Sequence, residues 1–407
     1  MKNRFFLIGV CQFLFANFLF SQQDFQGISG INAENYPRVD GSTSTNPLNY
    51  IVAARLLNLE YEWVNGTGGR DVIFTNQGTM PWDFRTKFQC SQTHNAIINL
   101  IDNQTDLIIV ARKMSADEKQ YADNAGVSLI ETPIALDALD FILNAQNTVN
   151  SLSVEQIQNI YLGNITNWNE VGGANEEIIP FIRNANSGSQ EMMTEIVMHS
   201  TDMPDWEVSL SDAEEHTLWS MSAVYQELIL YSNGICFTPH YYKEYMMSNI
   251  FTAEKIKTLA INEIVTDRNS IKNNIYPFVA NVYVSIRSDL DQNSMTYRLY
   301  EWLQTKSGQE VIDESGYVPY GYSENNVIEQ ISNQCVQIFP NPTKGIIEIK
   351  RIEDYSNLSY VVYNSVGQII QHGKLKQTID LSSKKGLNIL TIMQNQRVIS
   401  REKIIVE

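Results

Sequence analysis

The chain has 407 residues, 43% of them apolar, and a formal net charge of −17. That length allows more than one domain, and that apolar content allows sizeable cores. So acidic a chain is unsuited to nucleic acid or an acidic membrane surface, and any anion it holds must be held by local dipoles and hydrogen bonds.

Residues 1–21 read as a signal peptide. Lys2 and Arg4 form a positive start, Phe5 to Phe20 is apolar apart from Gln12 and Asn17, and cleavage fits near Ser21. The run is short and interrupted for a membrane anchor, Cys11 lacks a preceding glycine or alanine for a lipoprotein signal, and no later segment has the length and apolarity to span a bilayer. Cys90, Cys236 and Cys335 are left, without zinc spacing or a C-x-x-C pair; a Cys90–Cys236 disulfide and buried free thiols both stay open.

From Tyr36 to about Tyr322, short apolar runs alternate with helical spacing, the pattern of α/β domains. Asp40-Gly41-Ser42-Thr43-Ser44-Thr45-Asn46-Pro47 leads into a helix with Leu48, Ile51, Val52, Leu56 and Leu57 on one face. Pro47 fits the first helical position, and Asn46 or Thr45 the cap. Four consecutive hydroxyls at a helix start are uncharged donors suited to an anion. Ser91-Gln92-Thr93-His94 opens a second such helix, with Ala96, Ile97, Leu100 and Ile101.

Thr105 to Val110 reads as a buried strand, and Ser115 to Glu118 has capping-box spacing. Ile134 to Leu143 is another apolar run. Ser153 to Gln156 starts a helix that buries Ile157, Ile160 and Tyr161 and closes at Gly163. Next comes the most informative stretch, Arg183-Asn184-Ala185-Asn186-Ser187-Gly188-Ser189-Gln190-Glu191-Met192-Met193. Ser187 and Gln190 have S-x-x-Q spacing ahead of an apolar face of Met192, Met193, Ile196 and Val197. A helix start leaves N–H groups without partners, a glycine admits a ligand to the backbone, and an arginine offers a fork of donors.

Gly234 to Phe237 and Val279 to Ile286 read as strands, and Tyr297 to Thr305 as a helix. Ser323 to Gln334 is polar and linker-like. Beyond it, apolar runs at 336–339, 346–349, 358–363, 367–370, 387–393 and 404–406 are parted by turn residues at 340–343 and 364–367, which predicts a small β-sandwich.

Catalytic signatures are missing from this sequence. His94, His199, His216, His240 and His372 show no metal-ligand spacing, and there is no G-x-S-x-G elbow and no P-loop. Trp82, Trp168, Trp219, Tyr225, Tyr241 and Tyr242 read as packing residues, with Trp168 in a structural turn.

The stretches DGSTSTNPL (40–48), TDLIIVARKMSADE (105–118), PIALDALDFILN (133–144), IYLGNITNWNEVGG (160–173), IRNANSGSQEMM (182–193) and SGQEVIDESGYVPY (307–320) resemble, in order, the phosphate-binding protein of phosphate ABC importers. The resemblance implies a type 2 periplasmic-binding-protein fold of two α/β lobes with a hinge: lobe 1 at about 36–133 and 260–322, lobe 2 at about 134–259. It implies no catalysis, no metal and no cofactor, with inorganic phosphate held between the lobes and an ABC permease as a further partner. Its phosphate contacts map onto Ser44 and Thr45, with Ser42 and Thr43 as neighbours, and onto Arg183, Ser187, Gly188, Ser189 and Gln190. Its second serine-glycine loop is best matched by Thr93 and His94, with Thr67 as the weaker match. Where the family places a carboxylate that takes the proton of hydrogen phosphate, this chain has Ala111-Arg112. That departure implies weaker discrimination against a fully ionised oxyanion such as sulfate. Another alternative is a surface sensor or adhesion scaffold on the same fold.

The tail from Cys335 to Glu407 resembles the C-terminal sorting domain of type IX secretion cargo, through Phe339-Pro340-Asn341-Pro342-Thr343-Lys344-Gly345, Tyr363 to Gly367, Gly386-Leu387-Asn388 and Lys403 to Val406. This implies an immunoglobulin-like sandwich at 335–407, the type IX machinery as partner, and a product exported to the cell surface or secreted, with the periplasm as the alternative.

Overall fold

The computed structural model describes residues 25–66, 69–75, 81–184, 187–204, 217–248, 255–321, 337–350, 358–364, 369–394 and 397–407. The expected signal peptide, Thr67, the linker at 323–334 and Cys335 lie outside the described residues. Two compact units, Met1–Ser323 and Glu324–Glu407, divide the chain.

The first unit is organised on one strand. Leu129–Asn144 runs for 16 residues and is buried from Asp137 onward, as befits a nearly continuous apolar run covered on both faces. Its first part pairs antiparallel with Val279–Arg287, from Leu129↔Arg287 to Ala138↔Val279. Its second part pairs antiparallel with Gly234–Pro239, from Leu139↔Pro239 to Leu143↔Ile235. The strand therefore changes partner between Ala138 and Leu139 and serves both lobes. Leu107–Val110 and Val39–Gly41 extend the first sheet, and Ile179–Pro180 extends the second.

The family resemblance implies a return to the first lobe at about 260. Ala260–Ile261 pairs with Ser151–Leu152, and Ile271, Tyr276 and Phe278 pack with Phe141, Ile157 and Tyr161. Apolar residues from Ile261 to Phe278 thus pack with the same core, and Val279–Arg287 then pairs with the first part of the long strand.

The helix start predicted at Ser153 forms as its spacing expects. The Ser153 Oγ accepts the Gln156 N–H at 3.0 Å, and Gln156 Oε1 accepts the Ser153 N–H at 2.8 Å. Such a box stabilises a helix start by about 1 kcal/mol. Trp168 is buried in a tight turn, its Nε1–H donating to the Asn233 carbonyl at 2.8 Å. Tyr225, Tyr241 and Tyr242 are core residues, whereas Trp82 is 72% exposed and lies beneath the Arg85 guanidinium. Cys90 and Cys236 are free thiols, which removes the disulfide alternative. Among the described residues no helix is long and apolar enough to cross a membrane.

The second unit is all β. Gln337–Phe339, Ile346–Lys350 and Thr378–Asp380 form one antiparallel sheet; Ile369–Lys374, Leu358–Asn364, Gly386–Gln394 and Arg397–Val406 form another. Ile347, Ile349, Val362, Leu390, Ile392 and Ile404 fill the space between them. Ile347 and Ile349 alternate with more exposed neighbours, the period expected of one buried face.

Candidate functional site

The first hydroxyl loop leaves the strand Val39–Gly41, turns tightly through Thr43–Thr45 and enters the helix Asn46–Leu57. Gly41 is required by close approach: a Cβ there would lie 2.3 Å from the Ile109 carbonyl oxygen and 2.7 Å from Thr45 Oγ1. Asp40, fully buried, braces the loop. Its Oδ1 accepts the Gly41 N–H at 2.7 Å and the Ser91 N–H at 2.8 Å, and its Oδ2 accepts Asn99 Nδ2–H at 2.9 Å. One carboxylate therefore ties the loop to the second hydroxyl-rich helix start, Gln92–Ile101. Gln92 itself takes a left-handed φ of 68°, a conformation that costs a non-glycine residue about 1–2 kcal/mol.

Ser42 Oγ and Thr93 Oγ1 are 2.7 Å apart, and Ser42 Oγ also accepts the Ala111 N–H at 3.0 Å. The four loop hydroxyls have different surroundings. Thr45 Oγ1 is turned to the carbonyls of Ile109 (2.5 Å) and Ser42 (3.0 Å), a bracing position. Thr43 lies against the Cys90 thiol, which burial pushes up to about 12. The Ser44 carbonyl accepts the Tyr317 hydroxyl at 3.0 Å.

The second-lobe segment meets these loops directly. Gly188 approaches Thr93 so closely that a Cβ would lie 2.3 Å from Thr93 Oγ1. Ser187 Oγ and Ser189 Oγ are 2.9 Å apart. The capping box predicted from Ser187 and Gln190 does not form. Gln190 Oε1 accepts the Arg183 N–H at 2.8 Å, which draws the arginine's backbone to the helix Gly188–Met192. Arg183 is buried, and its charge acts on the Tyr242 hydroxyl, whose pKa burial nevertheless raises. Asp71 acts on the same hydroxyl; burial raises its own carboxyl pKa against hydrogen bonds from the Val72 N–H and Asn46 Nδ2.

Arg112 and His94 are organised by a residue that sequence reasoning treated only as a cap. Glu118, fully buried, accepts Arg112 NH1 at 2.7 Å and NH2 at 2.9 Å, the Ser115 N–H at 2.8 Å, and pairs with His94 Nδ1 at 2.9 Å. Burial would raise the Glu118 pKa, but the bond and charge of Arg112 outweigh it and hold it below the usual range. With NH1 also on the Lys113 carbonyl, the buried Nε is the one Arg112 donor group without a hydrogen bond among the described residues. Arg112 is thus a braced guanidinium presenting an edge rather than an open fork. Glu191, across from it, feels the Arg112 charge, although burial raises its pKa.

Ser42, Thr93 and Gly188 are therefore brought together, and Ser189, Gln190 and Arg183 follow within the same short segment. Thr45 and Glu118 act on the framework. The arrangement is rich in hydroxyl, N–H and guanidinium donors, suited to holding an oxyanion. Among the described residues no group of three or more histidine, cysteine, aspartate or glutamate side chains is arranged to hold a metal ion. Asp40, Glu118 and Tyr317 escaped sequence reasoning, although Asp40 opens the first hydroxyl loop and Glu118 occupies the capping position after Ser115.

Comparison with known proteins follows these features. Residues 83–305 match the family described as PBP superfamily domain, and residues 337–407 match that described as secretion system C-terminal sorting domain. Phosphate-binding protein PstS of Borreliella burgdorferi is 22% identical over 195 residues, 46% of this chain and 65% of that protein. PstS of Staphylococcus saprophyticus is 28% identical over 116 residues, 28% of this chain and 36% of that protein. The chain thus spans less than two thirds of the length of these curated relatives. A crystal structure of a putative phosphate ABC transporter substrate-binding protein with bound phosphate, from Clostridium perfringens, aligns with a TM-score of 0.46 and 20% identity, over 70% of this chain and 98% of that one. An ABC-type phosphate transport receptor from Vibrio cholerae aligns with a TM-score of 0.48 and 19% identity, over 69% and 98%.

Proposed function

We infer function from membership: the chain belongs to the PBP superfamily and ends in a secretion-system C-terminal sorting domain. Within that family it is a reversible, non-catalytic binder of inorganic phosphate, held between the lobes. The observation that carries this reading is the meeting of Ser42, Thr93 and Gly188 beside the buried Arg183. The curated relatives it matches are named phosphate-binding proteins, which supports the same ligand.

The ligand would lose its water between the lobes and gain backbone N–H groups from 188–190, hydroxyls of Ser42, Ser44, Thr93, Ser187 and Ser189, and the Arg183 guanidinium. Each neutral donor removed leaves an oxygen unpaired, costing about 1–3 kcal/mol, and the guanidinium costs more. Closure is favoured because the open form leaves this shell incomplete. The sorting domain supports export to the cell surface or secretion, with capture of phosphate outside the cell.

One observation favours a second ligand, sulfate. Glu118, the carboxylate paired with Arg112, already receives two guanidinium bonds, a backbone N–H and His94, so it offers no ready acceptor for a ligand proton. The test is titration calorimetry of the full chain, stripped of bound ion, with phosphate and then sulfate. Saturable phosphate binding with little sulfate response supports the phosphate reading. Preference for sulfate replaces it, and no binding to either returns the fold to a scaffold role.

A further inference from the structure

A second polar centre lies where the strand Leu129–Asn144 changes partner. Asp137 is 3% exposed there. Its Oδ1 accepts the Ala138 N–H at 2.8 Å and the Tyr241 N–H at 3.0 Å, while its buried Oδ2 has no hydrogen-bond partner among the described residues. The side chain lines a cavity of about 370 Å³ that is also bounded by His240, Tyr241, Tyr245, Thr266 and Tyr317.

The cations around this cavity are already engaged. Lys243 Nζ lies 2.9 Å from Asp140 Oδ2, 2.8 Å from Glu244 and 2.7 Å from Thr258 Oγ1. Arg268 donates to the Gly316 and Tyr317 carbonyls and pairs with Asp313. His240 turns Nδ1 to Asp140 at 2.9 Å, so Nε2 is the nitrogen left for the cavity it lines. Glu244 and Asp267 add two further carboxylates to the lining.

The wall is aromatic. Tyr241 and Tyr317 stack with centroids 3.8 Å apart, and Tyr241 and Tyr245 with centroids 4.8 Å apart. Gly316, at φ 105°, leaves its Cβ position to the Tyr245 ring, which fixes that ring in place. An unpaired buried carboxylate oxygen costs several kcal/mol, and a cation with N–H donors offsets that cost. The volume suits a small organic ligand rather than a bare ion, and the partly buried Tyr245 ring, which closes the stack beyond Tyr241, favours an ammonium carrying carbon.

We propose that this cavity is a second ligand site, separate from the oxyanion cleft, which takes a small organic ammonium ion with its N–H donors on Asp137 Oδ2 and its carbon chain along the tyrosines. Burial pushes the Asp137 carboxyl up to about 6, against the opposing His240 charge and the Tyr241 and Ala138 N–H groups.

The test is calorimetric titration of the full chain with ethanolammonium chloride, beside choline chloride, which lacks N–H donors, and calcium chloride. The expected result is saturable one-to-one binding of ethanolammonium, with choline weaker by about tenfold. Asp137→Asn keeps the acceptor for the Ala138 and Tyr241 N–H groups and should weaken ethanolammonium by about tenfold or more. Glu244→Gln, on a half-exposed side chain, should weaken it by roughly twofold. Should Asp137→Asn not fold, nuclear Overhauser contacts between ethanolammonium methylenes and the Tyr241 and Tyr317 ring protons of the unaltered chain replace it. No saturable ethanolammonium binding, an unchanged Asp137→Asn affinity, absent ring contacts, or displacement by calcium each overturns the proposal. Phosphate titrated in parallel reports on the cleft alone, so failure of one site is distinguishable from failure of the other.

Discussion

The proposed oxyanion cleft and the Asp137 centre are built from opposite parts. Around Ser42, Thr93 and Gly188 the groups facing inward are donors, and Glu118 is held in a bidentate pair. Around Asp137 the cations are drawn off by Asp140, Glu244 and backbone carbonyls, leaving a carboxylate oxygen without a hydrogen-bond partner among the described residues. Within a chain of net charge −17, local pairing rather than overall charge decides which sign a pocket presents. Tyr317 stands between the two, its hydroxyl on the Ser44 carbonyl and its ring on Tyr241.

The largest effect should come from breaking the engaged pair. Glu118→Ala strands the buried Arg112 guanidinium and should cost about 3–5 kcal/mol of stability in urea unfolding. A loss within experimental error would mean that Arg112 finds another partner and that the cleft wall does not depend on Glu118.

Next in size is Arg183→Ala, expected to weaken phosphate binding by about a hundredfold or more, while Thr43→Ala, beside Cys90, should lower it less than about tenfold. Calorimetry on both variants checks this, and equal losses would remove Arg183 from its leading role.

The carboxylates Glu118 and Asp137 should then drive stability in opposite directions with pH. Glu118 has a folded pKa below its ordinary value, so its contribution is present above about pH 4.5 and is lost as pH falls through the lower, folded value. Asp137 has a folded pKa raised to about 6, so its proton favours the folded state, and that contribution is lost as pH rises from 3.8 through about 6. Asp137→Asn should therefore remove a fall of about 2–3 kcal/mol between pH 4 and 7. Urea midpoints measured across that interval decide it; an unchanged pH slope would mean that Asp137 keeps an ordinary pKa.

The smallest effect belongs to the bridge. Tyr317→Phe keeps the ring stack and removes the hydroxyl bonded to Ser44, costing about 1 kcal/mol in stability and a few-fold in phosphate affinity. An affinity loss as large as that of Arg183→Ala would make Tyr317 part of the ligand shell rather than its support.

Sequence by itself determined several parts whose partners lie close along the chain. The Ser153–Gln156 box, Pro47 in the first turn of its helix, the apolar strand at 107–110 and the alternation at 346–350 all form as their spacing predicts. The resemblances carried by the motifs at 40–48, 105–118 and 339–345 identified both families before any contact was known. Tertiary structure alone decided the rest. Gln190 abandons its expected cap for the Arg183 N–H, Asp40 joins loops 51 residues apart, and Ser42 meets Thr93 across the same interval. Arg112 reads as an open cation in sequence, yet folding seats it on Glu118. The physical reason is that a cap or an amphipathic face is settled by neighbours at fixed helical or strand spacing. The partner of a buried polar group is settled instead by which distant segments the sheet order brings within hydrogen-bond reach, because once water is excluded a group left without one is costly.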